Sequence, residues 1–182
     1  MIAGLVLAAG EGSRFGGPKA PVIVGDERLV DRAIRVLREG GCDPVLVVLG
    51  AWRGEVAAEI VVNEQWRSGM GSSVQAGLAA LEGRAGVDAV VITLVDLPGI
   101  TGAAVERLAR GASAASLAAA AFAGIRGNPV LIGREHWAGV SESAIGDRGA
   151  RAYLNEHDSV LIEVGDVADG NDIDHRADLP SQ

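Results

Sequence analysis

Two cations in a glycine-rich segment near the start of the chain are the residues best suited to chemistry. The segment from Leu7 to Lys19 reads LAAGEGSRFGGPK and carries Arg14 and Lys19. Glycines let backbone N–H groups approach an anion closely, and two positive side chains beside them suit a polyphosphate. The segment therefore predicts a phosphate-binding loop, and the alternative is a flexible turn with surface cations.

Two well-known phosphate-binding motifs do not fit this segment. A dinucleotide-binding fingerprint requires a third glycine where Phe15 stands, and an acidic residue at the end of the second predicted strand, where Leu49 and Gly50 stand. A P-loop requires Gly-Lys-Ser/Thr, but here Lys19 follows Pro18. What remains is a glycine-rich turn that carries two cations.

A carboxylate is predicted to lie near this turn. Asp96 follows the apolar run VVITLV, which places it at the carboxyl end of a central strand. Ligands of open parallel sheets bind beyond the carboxyl ends of the strands, and a hard oxygen ligand there suits Mg²⁺ bound to phosphates. The alternative for Asp96 is an Asx-type turn at the strand end.

Apolar runs of strand length alternate with stretches of helical period, and these elements must position the candidate residues. Strands are predicted over residues 2–8, 44–49, 59–62, 88–95, 118–123, 130–132 and 160–164, and helices over 27–39, 53–58, 72–81, 101–110 and 147–156. The alternation predicts an α/β fold with a mostly parallel sheet and helices on both faces. Residues 1–182 are predicted to form a single domain.

Composition excludes several classes of protein. The chain has 182 residues and a formal net charge of −8, which disfavours nucleic acid and anionic membranes as partners. Its single cysteine, Cys42, excludes an intrachain disulfide and a cysteine-rich metal site. No apolar run reaches the length of a membrane span, and the first residues lack the basic region of a secretory signal. We therefore expect a cytoplasmic protein.

The pattern L-A-A-G-x-x-S-R-F-G-x-x-K closely resembles the signature of the MobA-like NTP transferase family, whose members act on molybdopterin. The resemblance implies a three-layer α/β/α, Rossmann-like nucleotidyltransferase fold. It also implies that the loop wraps a nucleoside triphosphate, and that the matching arginine and lysine hold phosphates. The residues implied to bind the nucleotide here are Leu7, Ala8, Ala9, Gly10, Gly12, Ser13, Arg14 and Lys19.

A second segment, NEQWRSGMGSSVQAGL from Asn63 to Leu78, resembles the cytidylyltransferase-like branch of that family. It implies that Gly69, Ser72 and Ser73 contact the nucleotide. Physically, these residues open a helix whose free N–H groups can face an anion or a base carbonyl. Simple capping of the helix by either serine is the alternative. Trp66 is interpreted as a packing residue rather than a stacking platform.

Two later segments resemble the acceptor side of the family's site. GIRGNPVLIG, residues 124–133, implies that Arg126 and Asn128 contact the acceptor, and GDRGAR, residues 146–151, implies that Arg151 meets an anionic acceptor. Asp147 in the second segment is predicted to cap the following helix at least as readily as to act in catalysis.

The tail GNDIDHRADL, residues 170–179, resembles the acidic ending of the group. The resemblance implies that Asp172 or Asp174 completes a Mg²⁺ site with Asp96, and a solvated acidic tail is the alternative. The tail departs from the family, because His175 and Arg176 stand where Thr-Pro is usual.

The function that follows from the resemblance is a Mg²⁺-dependent nucleotidyltransferase. It would transfer CMP from CTP to molybdopterin with release of pyrophosphate, using Arg14, Lys19 and Asp96 as catalytic residues, and would supply a molybdenum hydroxylase. The triplet Ala8-Ala9-Gly10 favours CTP over GTP. The alternatives are a GTP-using guanylyltransferase, a transferase for another small phosphate, and a non-catalytic carrier of the molybdenum cofactor.

Overall fold

The computed structural model describes residues 1–179, so the last three residues of the predicted domain lie outside the described part. The strands are β1 (Ile2–Ala8), β2 (Ile23–Val24), β3 (Glu27–Arg28), β4 (Val45–Leu49), β5 (Glu59–Val62), β6 (Ala89–Leu94), β7 (Leu117–Phe122), β8 (Ile125–Gly133) and β9 (Val160–Glu163). The α-helices are α1 (Leu29–Glu39), α2 (Met70–Glu82), α3 (Gly102–Ala109), α4 (Trp137–Ser143) and α5 (Arg151–Glu156). Short 3₁₀ helices cover Trp66–Ser68, Arg134–His136, Gly146–Arg148 and Arg176–Asp178.

Seven strands form one sheet in the order β5-β4-β1-β6-β8-β7-β9. Every pairing is parallel except those of β8, which runs antiparallel to both β6 and β7. Ala8 pairs with Leu49 of β4, and Leu7 pairs with Leu94 of β6. The carboxyl ends of these three strands are therefore level, and the segments that follow them emerge at one edge of the sheet.

Helices cover both faces of the sheet, as the mostly apolar strands require. Side chains of α1 and α3 pack on the face that includes Val6 and Val47, whereas α2, α4 and α5 pack on the face that includes Leu5 and Leu46. The predicted three-layer α/β/α architecture with a mostly parallel sheet is confirmed.

A side-chain cap starts the fourth predicted helix. Thr101 is the N-cap of α3, and its hydroxyl accepts a hydrogen bond from the backbone N–H of Ala104 at 3.2 Å. The first predicted helix starts two residues later than expected, at Leu29. The reason is that Glu27–Arg28 pairs with Ile23–Val24 in a small antiparallel ribbon.

The predicted helix over residues 53–58 is wrong, because this segment has no regular structure. Arg28 donates a side-chain hydrogen bond to the carbonyl of Glu55 at 3.1 Å, and Arg38 donates one to the carbonyl of Ala57. Both arginines come from outside the segment, and they satisfy two of its carbonyl groups without a helix.

The predicted helix over residues 147–156 is divided in two. Gly149 lies at φ 53° and ψ −141°, far from helical values, and it separates the 3₁₀ helix Gly146–Arg148 from α5. The break leaves Asp147 in a turn of its own rather than at the cap of α5.

Within residues 1–179, no helix combines the length and the apolar character that crossing a bilayer requires.

Candidate active site

The glycine-rich loop leaves β1 at the level edge of the sheet and turns tightly at Gly12. The N–H groups of Gly16 and Gly17 both donate to the carbonyl of Gly12, at 2.8 and 3.1 Å. Gly12 has φ 60°, and a Cβ added there would collide with the carbonyl of Gly17. Only glycine fits this position without strain. Because glycine has no side chain, the backbone of the turn is left uncovered at Gly12.

Four charged side chains, from three separate parts of the chain, meet at the end of this loop. The Nζ atom of Lys19 lies 2.7 Å from Oδ2 of Asp96 and 3.4 Å from Oδ1 of Asp174. Arg14 lies 3.5 Å from Oδ2 of Asp174. The Lys19 and Asp96 side chains are only 13% and 18% exposed, so water screens their interaction poorly. The structure thus brings Arg14, Lys19, Asp96 and Asp174 together.

The tail reaches this cluster because Ile173 anchors it. The N–H of Ile173 donates to the carbonyl of Asp96 at 3.0 Å, and its side chain is buried against Phe15 and Leu29. Asp174 then faces Lys19. Asp172, on the other side of the anchor, is exposed and forms no hydrogen bond or ion pair with any of residues 1–179. The two tail aspartates are therefore not equivalent.

The carboxylates at Lys19 have the chemistry of a divalent-cation site. Oδ1 of Asp96 is buried and has no hydrogen-bond partner among the described residues. Among residues 1–179, no group of three or more His, Cys, Asp or Glu side chains is arranged to hold a metal. Mg²⁺ sites use one or two carboxylates and complete their shell with substrate phosphates and water. Asp96 and Asp174 fit that pattern.

A cavity of about 600 Å³, here named the loop cavity, lies beside this cluster. It is lined by the loop residues Leu7, Ala8, Ala9, Gly10, Glu11, Gly12, Ser13 and Lys19, by Trp66, Arg67, Gly69, Met70 and Ser73, and by Leu94, Val95, Asp96 and Asp147. Most residues predicted to bind the nucleotide thus share one space with Asp96. Arg14 reaches the cluster through Asp174 without lining the cavity.

The start of α2 forms one wall of the loop cavity. Gly69 has φ 110°, and a Cβ there would lie 2.5 Å from the carbonyl carbon of Gly146. Ser73 lines the cavity, but Ser72 does not: its hydroxyl donates to the carbonyl of Gly69 at 2.8 Å and accepts from Asn63 at 2.8 Å. Ser72 therefore holds the helix start in place.

Trp66 and Arg67 close the far side of the loop cavity. Trp66 packs on the core cluster and lies so close to Gly50 that a Cβ at Gly50 would be 2.7 Å from the Trp66 Cβ. The guanidinium of Arg67 stacks on the Trp66 ring, 4.3 Å from its centroid. Packing, as predicted, is the main role of Trp66. Arg67 was missed by sequence reasoning, although it immediately follows Trp66 in the motif.

A second cavity, of about 820 Å³ and here named the arginine cavity, adjoins the first. Its apolar lining comes from Leu7, Val74, Ile92, Leu94, Val130, Ile145 and Leu154, and its polar lining from Arg126, Asn128, Asp147, Arg148, Arg151 and Asn155. Arg126 is held by Asn155 and Ser159, each at 2.7 Å. All three residues predicted to contact the acceptor line this cavity, together with Arg148 and Asp147, which the predicted site did not include.

The two cavities share a wall. Leu7, Met70, Leu94 and Asp147 line both of them. The two cavities are therefore adjacent, and molecules held in them would lie next to each other. One cavity offers an ion cluster and backbone amides, and the other offers three guanidinium groups above an apolar floor.

Comparison with known proteins assigns this architecture to a family. Residues 4–160 match the model of the MobA-like NTP transferase domain. The chain belongs to the MobA-like NTP transferase family. It is thus a nucleotidyltransferase, and the resemblance of its loop motifs is confirmed.

Two relatives carry different names. The chain is 35% identical over 190 residues to nicotine blue oxidoreductase of Paenarthrobacter nicotinovorans, covering 95% of this chain and 92% of that one. It is 41% identical over 104 residues to a probable molybdenum cofactor guanylyltransferase of Opitutus terrae, covering 56% of this chain and 51% of that one.

Solved mycobacterial structures are similar along most of the chain. The homologue of Mycobacterium tuberculosis rv0371c from Mycobacterium sp. strain JC1 has a TM-score of 0.80 and 30% identity, covering 97% of this chain and 92% of that one. A complex of Rv0371C from M. tuberculosis with manganese has a TM-score of 0.73 and 24% identity, covering 90% and 88%. A divalent metal ion is thus bound by a protein of this fold.

Proposed function

We propose that the chain is a Mg²⁺-dependent nucleotidyltransferase that transfers CMP from CTP to molybdopterin and releases pyrophosphate. The observation that carries this proposal is the shared wall between the loop cavity and the arginine cavity. A transferase must hold two substrates with their reacting atoms in line, because positioning supplies much of the rate. Two adjacent cavities, one beside the Lys19–Asp96 pair and the other lined by three arginines and apolar side chains, suit that task.

The nucleotide is proposed to occupy the loop cavity with its phosphates toward Lys19. Lys19 and Arg14 would donate hydrogen bonds to phosphate oxygens, and the backbone of residues 10–13, which lines the loop cavity, would lie beside the same anion. Such preorganised donors stabilise charge that develops on the leaving pyrophosphate. We propose Arg14, Lys19 and Asp96 as catalytic residues on this basis.

The metal is proposed to be Mg²⁺, held by Asp96 and Asp174. When bound, it would neutralise charge on the triphosphate. Support comes from the buried, unpartnered Oδ1 of Asp96 and from the ion pair between Asp174 and Lys19. Of the two tail aspartates in the original expectation, Asp174 is the one that contacts the cluster, and Asp172 is left in solvent.

The acceptor is proposed to occupy the arginine cavity. Its apolar floor suits a flat ring system, and Arg126, Arg148 and Arg151 suit a phosphate. An oxygen of the acceptor phosphate would attack the α-phosphorus as the bond to the β-phosphate oxygen breaks. A phosphate monoester has its second pKa at about 6, so it is already ionised at neutral pH and requires no general base. The name of the Opitutus relative supports molybdopterin as the acceptor.

The choice of CTP over GTP rests on the loop sequence. The methyl group of Ala9 narrows the space at the start of the turn, and this favours the smaller pyrimidine base. The named guanylyltransferase relative favours GTP instead. A thermal-shift assay with Mg²⁺ and each nucleotide decides: greater stabilisation by GTP than by CTP would reverse the assignment.

Turnover separates the transferase from the other acceptor and carrier hypotheses. We expect pyrophosphate release only when CTP, Mg²⁺ and molybdopterin are all present. Release with a sugar phosphate in place of molybdopterin would point to another small-phosphate transferase. An Asp96→Ala variant should lose turnover and still bind molybdopterin. A wild-type protein that binds molybdopterin without any turnover would instead be a carrier.

An oxidoreductase is a second candidate, favoured by the 35% identity to nicotine blue oxidoreductase along 95% of the chain. In that case the arginine cavity would hold a heteroaromatic substrate, and a nicotinamide nucleotide would supply the hydride. Phe15 and Gly50 stand where a dinucleotide-binding fingerprint has glycine and an acid, which favours the transferase. Loss of absorbance of NADH or NADPH with a heteroaromatic acceptor, without pyrophosphate release from CTP, would establish the oxidoreductase.

We also propose that residues 1–182 form one catalytic domain that works in the cytoplasm. Both cavities are built from elements around one sheet, and the single thiol is buried. A molybdenum hydroxylase is the proposed recipient of the product. The formal net charge of −8 argues against nucleic acid and anionic membranes as binding partners.

A further inference from the structure

Arg67 is a cation of the loop cavity whose hydrogen-bonding edge is free. The Cζ atom of its guanidinium lies over the Trp66 ring, 4.3 Å from the centroid, and the residue lines the cavity. It forms no hydrogen bond or ion pair with any residue in the described part of the chain. A cation held over an aromatic face keeps its N–H groups available for hydrogen bonds, so the planar N–H groups of Arg67 can donate to a ligand in the cavity.

Arg67 lies at the opposite end of the loop cavity from the phosphate-binding cluster. Asp96 follows β6, whereas Trp66 lies against Gly50 after β4. Strand β1 separates these two strands, so the two ends lie about two strand spacings, or ~10 Å, apart. A nucleotide whose phosphates meet Lys19 would therefore place its base near Arg67.

We propose that Arg67 reads the base of the nucleotide by donating two parallel hydrogen bonds to two adjacent acceptors. Cytosine presents such a pair in O2 and N3, and guanine presents one in O6 and N7. Uracil has an N–H donor at N3, and adenine has an amino donor beside N7, so each breaks the pair. The inference rests on the proposed function, because it requires a nucleotide in the loop cavity.

The matched test compares nucleotides that differ only in this acceptor pair. Dissociation constants for CTP and UTP, in the presence of Mg²⁺, are measured by calorimetry for the wild-type chain and for Arg67→Met and Arg67→Lys. GTP and ATP provide the same comparison for purines. Arg53→Met is the control, because Arg53 pairs with Glu64 and does not line the loop cavity.

We expect Arg67→Met to weaken CTP binding about tenfold or more and to change UTP binding less than about twofold. Arg67→Lys should not restore the preference, because an ammonium lacks the planar donor pair. Arg53→Met should leave both constants unchanged. Thermal unfolding of each variant checks that the fold is retained.

Other outcomes overturn the inference in distinguishable ways. Equal weakening of all four nucleotides would place Arg67 at the phosphates. A wild-type chain that binds CTP and UTP equally, or an Arg67→Met variant that keeps the preference, would refute base reading and leave the nucleotide site intact. A wild-type chain that binds none of the four would refute the proposed function itself.

Discussion

The Nζ atom of Lys19 lies 2.7 Å from Oδ2 of Asp96, although 77 residues separate them along the chain. Lys19 ends the loop that follows β1, and Asp96 follows β6, the neighbour of β1 in the sheet. The pair exists because parallel strands bring their carboxyl ends to one edge. Both residues line the loop cavity, so a ligand bound there lies beside this ion pair.

Removing the positive charge of Lys19 should impair catalysis, and it also leaves the part-buried Asp96 without its ion-pair partner. For Lys19→Ala we expect kcat/KM for pyrophosphate release to fall by roughly 30- to 1,000-fold, which corresponds to about 2–4 kcal/mol for one preorganised donor. The thermal midpoint of the variant is measured alongside. Unchanged kcat/KM would remove Lys19 from the site.

The two tail aspartates should differ in metal binding. Asp174→Asn should weaken the binding of Mn²⁺ in the presence of CTP, as followed by electron paramagnetic resonance, because Asp174 lies at Lys19 beside Asp96. Asp172→Asn is the matched control and should bind the ion like the wild type, since Asp172 is exposed. Equal effects of the two substitutions would contradict this assignment of the second ligand.

Alanine substitutions at two glycines of the loop should have different effects on stability. Gly12→Ala forces a side chain into φ 60° and against the carbonyl of Gly17, so we expect a loss of about 1–3 kcal/mol in the free energy of unfolding and weaker CTP binding. Gly10→Ala is the control, because an added Cβ there meets no atom within 4 Å. Urea denaturation of both variants measures the free energy of unfolding. Similar losses in the two variants would refute this account of the turn.

Cys42 should make stability depend on pH only in alkaline solution. Burial raises the pKa of its thiol to about 12, from an ordinary value of 9.0. Between these values the unfolded chain loses a proton that the folded chain keeps, so the free energy of unfolding falls as the pH rises. The slope can reach about 1.4 kcal/mol per pH unit.

The measurement compares the wild type with Cys42→Ala by urea denaturation at several pH values between about 8 and about 11. Subtracting the variant removes the contribution of the other titrating groups. The stabilising effect of the buried thiol is complete below pH ~9 and declines above it. Parallel curves for the two proteins would show that the thiol ionises freely in the folded state.

Much of the site follows from local sequence signals. The apolar run of β1, the loop glycines and the position of Asp96 at a strand end were enough to predict that Lys19 and Asp96 share a cavity. The family resemblance predicted that the acceptor contacts Arg126, Asn128 and Arg151, and all three residues line the arginine cavity. The prediction for Lys19 and Asp96 depends on the ends of two parallel strands, whose common direction is fixed by the βαβ connection.

Other parts depend on tertiary contacts that leave no local signal. An extended chain puts Asp172 and Asp174 on the same side, but the buried Ile173 and the hydrogen bond from the Asp174 N–H to Asp178 orient the tail so that only Asp174 reaches Lys19. The segment 53–58 is likewise held by arginines from elsewhere. Arg67 was missed because nothing in its own segment shows that Trp66 holds its guanidinium toward a cavity.

The reversed direction of β8 has an evolutionary consequence. Because this strand runs against its neighbours, its first residues, from Ile125 to Asn128, arrive at the edge where β6 ends. The arginine cavity thus draws on a hairpin, whereas the loop cavity draws on the glycine-rich turn after β1. Under the proposed function, substitutions in the hairpin can change the acceptor while the turn keeps its nucleotide.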